Sequence, residues 1–409
     1  MKVCKTSVVA MAAAMSAGVA FGAGFGLYEA SARGNAMGGG LVGSTGDATA
    51  NYYNPANLTE STNITFTVGV SFINPFCDVT VDGRRQQKMD AGWFPPPHAY
   101  VAAPITEDLV FGFGSFCEYG LGTKYDNDWA LKGDTTETTI EQFTFNPNIA
   151  YKITEDWSVA FGARMSYITF ENYKTMTIPV PQLNSVFPGR VHLEGDDFNC
   201  GYMLATQYKV TDDLDVGIVY RSRINHRIEG DFDLNSRPKN ISGDASAKLV
   251  LPASVTMGAN YDFTKKFRGG AALTWTEWST INHIDFNIPM PRTQELNWHD
   301  AWRVGFGFEY DFTEAFCGRI GYSYDWDPSA DAHGTTMLPP GDRHIVGFGI
   351  GYKILEDLRI DLGYNFIMME SETRMMAAQD SSNGAERIFR FECDNSYSHI
   401  ASVSLTYSF

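Results

Sequence analysis

Residues 302–310 read Trp-Arg-Val-Gly-Phe-Gly-Phe-Glu-Tyr. Trp302, Val304, Phe306, Phe308 and Tyr310 fall on one side of a two-residue period; Arg303, Gly305, Gly307 and Glu309 fall on the other. Successive side chains of a strand point to opposite faces, so this is a β-strand with one apolar and one polar face. The alternation recurs in both directions along the chain. Ile64, Phe66, Val68, Val70 and Phe72 oppose Thr65, Thr67, Gly69 and Ser71, while Val159, Phe161, Ala163 and Met165 oppose Ser158, Gly162, Arg164 and Ser166. Segments 247–261, 344–352 and 358–368 repeat it, and in all 14 strands are expected between residues 63 and 409.

The connections carry a second rhythm. Short turns of similar composition, such as Ile105–Asp108, Ile153–Asp156, Phe263–Lys266 and Leu355–Asp357, alternate with longer polar stretches at 75–96, 119–137, 172–195, 230–242, 287–293, 327–341 and 371–395. Short periplasmic turns and long external loops are the pattern of an outer-membrane barrel. A soluble sandwich would have to pack all these apolar faces on one another, whereas lipid covers them at once. The last strand, Tyr397–Phe409, ends on an aromatic with Tyr407 two positions earlier. That ending resembles the signal read by the outer-membrane assembly machinery. Expected partners are therefore this machinery through Phe409, together with outer-membrane lipid and lipopolysaccharide.

Composition excludes other classes. The 409 residues carry 31 Lys and Arg against 48 Asp and Glu, a formal charge of −17, which excludes nucleic acid as a partner. Only 19% of residues are charged and 14% are aromatic, the reverse of a disordered chain. Beyond about the first 25 residues no apolar run approaches the ~18 needed for a membrane helix. Lys2 and Lys5 precede an apolar stretch from Val8 to Phe21, followed by Ala20-Phe21-Gly22 at a small-x-small position. Residues 1–22 thus read as an export signal, with maturation at Ala23. Cys77, Cys117, Cys200, Cys317 and Cys393 remain, an odd number without redox or zinc spacing. Export permits disulfides, but spacing does not say which of these cysteines pair. The eight histidines are scattered, and His226, His344 and His399 face outward by parity, so neither metal, cofactor nor catalytic residues are expected.

Residues 23–62 break the alternation, with 8 Gly and 7 Ala in this stretch. A barrel of this width is too wide for side chains to fill, so the segment is expected to plug the lumen as an N-terminal hatch, leaving 63–409 for the barrel. Parity turns Arg164, Arg221, Arg223, Arg227, Arg303, Arg319, Arg343 and Arg359 inward, with Asp215, Glu309, Asp325 and Asp361. Two readings stay open. These charges pair with each other and with Arg33, Glu29 and Asp47 of the hatch, or Arg227 and Arg343 receive a carboxylate head group, for which a guanidinium fork is suited.

Ala23-Gly24-Phe25-Gly26-Leu27, Glu29 and Asn54-Pro55-Ala56 resemble the hatch of the FadL-type long-chain fatty-acid transporters. The likeness continues through Tyr119-Gly120-Leu121-Gly122-Thr123, Val219-Tyr220-Arg221-Ser222, Leu251-Pro252, Trp275-Thr276-Glu277-Trp278, Asp327-Pro328 and Asp342-Arg343. It implies an all-β, 14-stranded antiparallel transmembrane barrel plugged by the hatch, working as a passive channel rather than an enzyme. Ligand is captured among external loops and moves to a tighter pocket touching the N-terminus, which makes Phe25 and Leu27 binding candidates. It leaves sideways at a kink of the third strand, on Phe116–Thr123, beside Asn54, Pro55 and Ala56; Gly120, Leu121 and Gly122 form the gate. Ile178, Val180, Leu183 and Phe187 of stretch 172–195 are the candidates for external capture, while the polar stretch 230–242 argues against a second wall there. Long-chain fatty acids are the first expected cargo, and aromatic or alkane hydrocarbons the alternative. A water-filled porin is the reading from another class, and a plugged lumen distinguishes it.

Overall fold

The computed structural model describes residues 24–409 except 91, 181–184, 237–239 and 381–382; the expected export signal and Ala23 lie outside the described residues. Fourteen strands form one antiparallel ring. They are β1 (Thr65–Val81), β2 (Pro97–Pro104), β3 (Leu109–Phe116, resuming at Gly120–Lys124), β4 (Glu137–Thr154), β5 (Trp157–Val180), β6 (Ser185–Thr211) and β7 (Leu214–Arg221 and Ile224–Ser236). After these come β8 (Ile241–Leu251 and Ser254–Thr264), β9 (Phe267–Thr276), β10 (Ala301–Asp311), β11 (Phe316–Asp325), β12 (Arg343–Lys353), β13 (Leu358–Met369 and Glu372–Gln379) and β14 (Glu386–Ser408). β14 pairs with β1, Tyr407 opposite Phe66, and this closes the ring. Closure leaves no sheet edge, which a membrane requires.

The outward face carries the apolar half of each alternation. Phe66, Val68, Phe161, Leu204, Phe306, Phe348 and Leu405 are all exposed on it. Each such side chain gains roughly 1.5–3 kcal/mol by burial away from water. Trp157, Tyr208, Tyr261, Tyr310, Tyr352 and Tyr407 lie close to the short turns and ring that rim. Five of the turns share one device. The hydroxyls of Thr106, Thr154, Thr211, Thr264 and Thr313 each accept from the backbone N–H two residues on, at 3.2–3.4 Å. This is why similar tetrapeptides recur at that end.

The N-terminal segment fills the lumen. Ser31 caps the short helix α1 (Ala32–Ala36) by accepting from Gly34 N at 3.0 Å. Asn35 donates to Ser402 at 2.7 Å, and Ala32 N donates to Ser404 at 3.0 Å. Arg33 pairs with Asp47 at 3.1 Å and Glu309 at 3.2 Å; Arg319 and Arg359 also pair with Glu309 and Asp361. These inward charges therefore hold the plug. A second helix, α2 (Ala50–Tyr53), leads into a 3₁₀ turn, Pro55–Glu60, where Thr59 bonds Ser158 at 2.7 Å. The fit is backbone against backbone: a Cβ on Gly270 would overlap the Gly40 carbonyl, and one on Gly307 the Met37 carbonyl.

Three expectations are corrected by this arrangement. β7 is interrupted at Ser222–Arg223 and β8 at Pro252–Ala253, and each interruption inverts the facing of the half-strand on its external side. Ile224, His226, Ile228, Leu249 and Leu251 are consequently buried inside. Arg223 and Arg227 point outward, where they pair with Glu277 and Glu229. His226 is thus an inner residue, bonded to Ser166 at 3.0 Å and Asp197 at 2.8 Å. Stretches 172–195, 230–242 and 371–395 are mostly strand rather than loop, because β5–β6, β7–β8 and β13–β14 rise as tall hairpins.

Candidate functional site

β3 bends where its chain is interrupted, at Cys117–Tyr119. Below the bend it pairs with β2 from Pro104↔Val110 to Ala99↔Ser115. Above it, Gly120–Lys124 keeps its ladder with β4 but has left β2; on that side Asp90 N donates to Lys124 O at 2.8 Å. The register against β4 changes from Phe116↔Thr144 to Gly120↔Glu141, so β3 carries one extra residue across the bend. On the far side of the resulting gap lie Pro95, Pro96 and Pro97. Proline has no N–H to offer, so that lip cannot re-form a full ladder with β3. Residues 25–27 take over part of the pairing. Leu27 N donates to Glu118 O at 2.7 Å, Gly120 N donates to Phe25 O at 2.8 Å, and Gly26 bridges Tyr119.

The bend is held from inside by Glu118. Its carboxylate accepts from Arg164 at 2.7 Å and Thr144 at 2.8 Å, and Arg221 stands at 3.2 Å. Gln142 Oε1 accepts from the backbone N–H groups of Glu118 and Tyr119 at 3.0 and 3.3 Å. Arg164 also donates to Ser222 O at 2.6 Å, and Arg221 donates to the Tyr52 carbonyl of the hatch. One buried carboxylate thereby ties β3 to β5, β7 and the plug. Sequence reasoning missed Glu118, although an acid beside the glycine-rich bend with inward Arg164 and Arg221 was the available signal.

Over the bend, Phe25, Tyr119, Trp278 and Trp298 make an aromatic box. Phe25 lies 5.2 Å from Trp278 and 5.6 Å from Tyr119, and Trp278 lies 5.4 Å from Trp298, all centroid to centroid and inclined. A cavity beside it is lined by Leu27, Tyr28, Tyr52, Glu118, Arg221 and Arg303. The ring nitrogens of Trp278 and Trp298 are buried without a hydrogen-bond partner among the described residues. Arg303 stacks over Tyr28 at 4.3 Å. Arg343 is 1% exposed, its Nη1 stands 3.7 Å from a carboxylate oxygen of Asp325, and none of its three guanidinium nitrogens has a hydrogen-bond partner among the described residues. Burial raises the Glu29 carboxyl of the hatch above the usual range, against the lowering pull of Arg303 and Arg343.

On the external side, Val191, Leu193, Phe232 and Leu234 form a buried cluster with Phe170, Met176, Ile178 and Ile241 packed against it. Ile178 is the cross-strand partner of Phe187. Residues 230–236 and Ile241 therefore do supply a second apolar wall, because Phe232 and Leu234 alternate with Asp231 and Asp233 on a strand. Leu183 and the side chain of Val180 lie outside the described residues.

Phe25 and Leu27 are brought together with Gly120 and Leu121; a Cβ on Gly120 would stand 3.0 Å from Leu27 Cδ1. Among the described residues no hydrogen bond joins the Asn-Pro-Ala segment to Gly120 or Gly122. Asn54 donates to Val42 O at 2.8 Å and Thr206 O at 3.1 Å, and accepts from Ala56 N at 3.1 Å. Pro55 and Ala56 begin the turn that packs on β4, β5 and β6 and on β3 below the bend, where Leu58 lies against Gly112, while Tyr52 stands 5.1 Å from Phe116 at the bend itself. Among the described residues one group of metal-ligating type assembles, Glu171, His192 and Glu194, partly exposed on the outside of the β5–β6 hairpin and away from the lumen.

Residues 13–409 match the family model described as outer membrane protein transport protein (OMPP1/FadL/TodX). The chain belongs to this family. A long-chain fatty acid transport protein of Escherichia coli O6:H1 is 24% identical over 383 residues, covering 83% of this chain and 85% of the relative. The crystal structure of a Pseudomonas aeruginosa FadL homologue superposes with a TM-score of 0.85 at 20% identity, over 95% of this chain and 100% of that one. The Pseudomonas putida toluene transporter TodX gives 0.73 at 18% identity, over 93% and 98%. The FadL/TodX fold is thus this chain's fold. It is a hydrophobic-compound uptake channel of the Gram-negative outer membrane, and a transporter rather than an enzyme.

Proposed function

We propose that this FadL-family channel takes up long-chain fatty acids. They would be captured by the apolar walls of the β5–β8 hairpins, held in the lumen above the hatch, and released into the membrane between β2 and β3. The observation that carries the cargo is Arg343. A buried guanidinium that is ion-paired with Asp325 at 3.7 Å, but whose three nitrogens make no hydrogen bond among the described residues, fits a carboxylate and gains nothing from a neutral hydrocarbon. The gap at the β3 bend supports sideways exit. Releasing about 14 methylenes into water would cost roughly 11 kcal/mol at about 0.8 kcal/mol each, and exit into lipid avoids that cost. Diffusion down a gradient then suffices.

One observation favours a second cargo, an aromatic hydrocarbon: the box of Phe25, Tyr119, Trp278 and Trp298 offers inclined ring faces to a flat apolar ligand. A single comparison separates the two. Binding of a labelled fatty acid and of a neutral hydrocarbon of matched size is measured for the unchanged protein and for Arg343→Met. Selective loss of fatty-acid binding supports the first cargo. Equal effects on both ligands, or none on either, would overturn it.

A further inference from the structure

The ring closes between its first and last strands, and two of the cysteines meet at that seam. β14 carries an extra residue there. The pairing changes from Phe76↔Tyr397 to Asp78↔Asp394, and Asn395 adopts the left-handed conformation at φ 46°. The bulge inverts the facing of β14 above it. Below the bulge Ser402 and Ser404 turn inward; above it Cys393, Phe391 and Phe389 do. Cys393 lies opposite Val79, one inward position along β1 from Cys77. On an unbroken ladder such a diagonal pair is about 7–8 Å apart, just beyond the ~7 Å that a disulfide spans without backbone movement. At this bulge, where local twist increases, the two free thiols turn to the same inner face as near neighbours across the seam. They are 3% and 1% exposed and belong to one apolar cluster.

The geometry points to a Cys77–Cys393 disulfide that fastens β1 to β14 and makes the barrel a covalently closed ring. A protein of the outer membrane passes through an oxidising compartment. The oxidant is a protein disulfide, acting by thiol–disulfide exchange. The thiolate of one cysteine attacks a donor sulfur and expels one donor thiolate. The thiolate of the other then attacks the mixed disulfide and expels the second. Two electrons and two protons pass from the cysteine pair to the donor. Because the folded thiols are shielded, exchange precedes or accompanies closure of the seam. Cys117, Cys200 and Cys317 have other neighbours: Cys200 pairs across strands with Met165, and Cys317 with Asp311 and Gly351.

The test uses the full chain assembled in an outer membrane by a cell with an oxidising periplasm. The protein is denatured without reductant, alkylated and digested. Mass spectrometry is expected to find one linked peptide joining Cys77 to Cys393, with the other three mature cysteines alkylated. Adding reductant before alkylation should abolish that peptide, and on a gel the boiled, unreduced chain should run faster than the reduced one. Cys77→Ser should lose this mobility difference while Cys200→Ser keeps it. Recovery of both Cys77 and Cys393 alkylated without reductant would overturn the assignment, as would a link from either to another cysteine. Neither result bears on the identity of the cargo.

Discussion

Glu118 has more partners than its position in a bend would demand. Two guanidiniums, a threonine hydroxyl and, through its backbone, a glutamine and the hatch all converge on it. Removing one member of such a buried set leaves charges without compensation, a loss of about 3–5 kcal/mol. For Glu118→Ala, Arg164 and Arg221 are the residues left facing each other. The expected outcome is a barrel that still assembles but whose β3 is no longer drawn inward, with labelled-ligand uptake reduced several-fold at equal surface expression. Wild-type uptake by this variant would show that the bend is fixed by the glycines alone. Arg343 was legible in the sequence as an inward arginine because its strand is regular throughout. Arg227 was not. One interruption shortly before it, at Ser222–Arg223, turned its side chain to the outside, and nothing in residues 214–229 marks that interruption except a serine between two arginines.

At the scale of elements, the strands were legible because lipid imposes a strict alternation on each of them. The hairpin extensions were harder. Val191 and Leu193, or Phe232 and Leu234, keep the two-residue period, but acidic and glycine residues between them resemble loop composition. The gate was legible on one lip only. Gly120 and Gly122 announced a bend, yet its contacts come from Phe25, Leu27 and Tyr52, far away in sequence, and no local pattern encodes such a meeting. The opposite lip, Pro95-Pro96-Pro97, rests on the same chemistry, since three residues without N–H groups keep the gap from zipping shut. Replacing all three by Val is expected to extend the β2–β3 ladder upward and to block uptake while external binding persists. Gly120→Val should act in the same direction by colliding with Leu27. Replacement of Asn54-Pro55-Ala56 should instead loosen the hatch from β6, read as an increase in ion conductance across planar bilayers. Unchanged uptake by both gate variants would place the exit elsewhere.

The whole molecule is a ring with its polar lining satisfied by a plug. Every wall strand is paired with two neighbours along part or all of its length, so apart from the short gap at the β3 bend detergent finds no edge at which to begin. Folded protein extracted in mild detergent should therefore migrate faster in SDS before boiling than after, and identical mobility would contradict a closed ring. The fold class was legible at this scale from a single premise, that about 14 apolar strand faces need a common solvent. The path of the hatch was not legible, because it is set by contacts between main chains that carry no side-chain signature.

Those contacts have a consequence for which positions evolution can vary. Where Gly270 meets the Gly40 carbonyl and Gly307 the Met37 carbonyl, neither partner contributes a recognisable side chain. The shape of the interface is written in missing atoms. A methyl group at either wall position has nowhere to go without displacing the plug, an overpacking cost of about 1–3 kcal/mol, although neither glycine touches ligand, lipid head group or gate. In a mutational scan scored by folded protein at the cell surface, Gly270→Ala and Gly307→Ala are expected to rank among the least tolerated single changes. Substitutions of lipid-facing Phe161 or Leu204 by other apolar residues should pass almost unnoticed. Sequence drift in this channel would thus be freest on the outside of the wall, and narrowest along the seam where two backbones lie against each other.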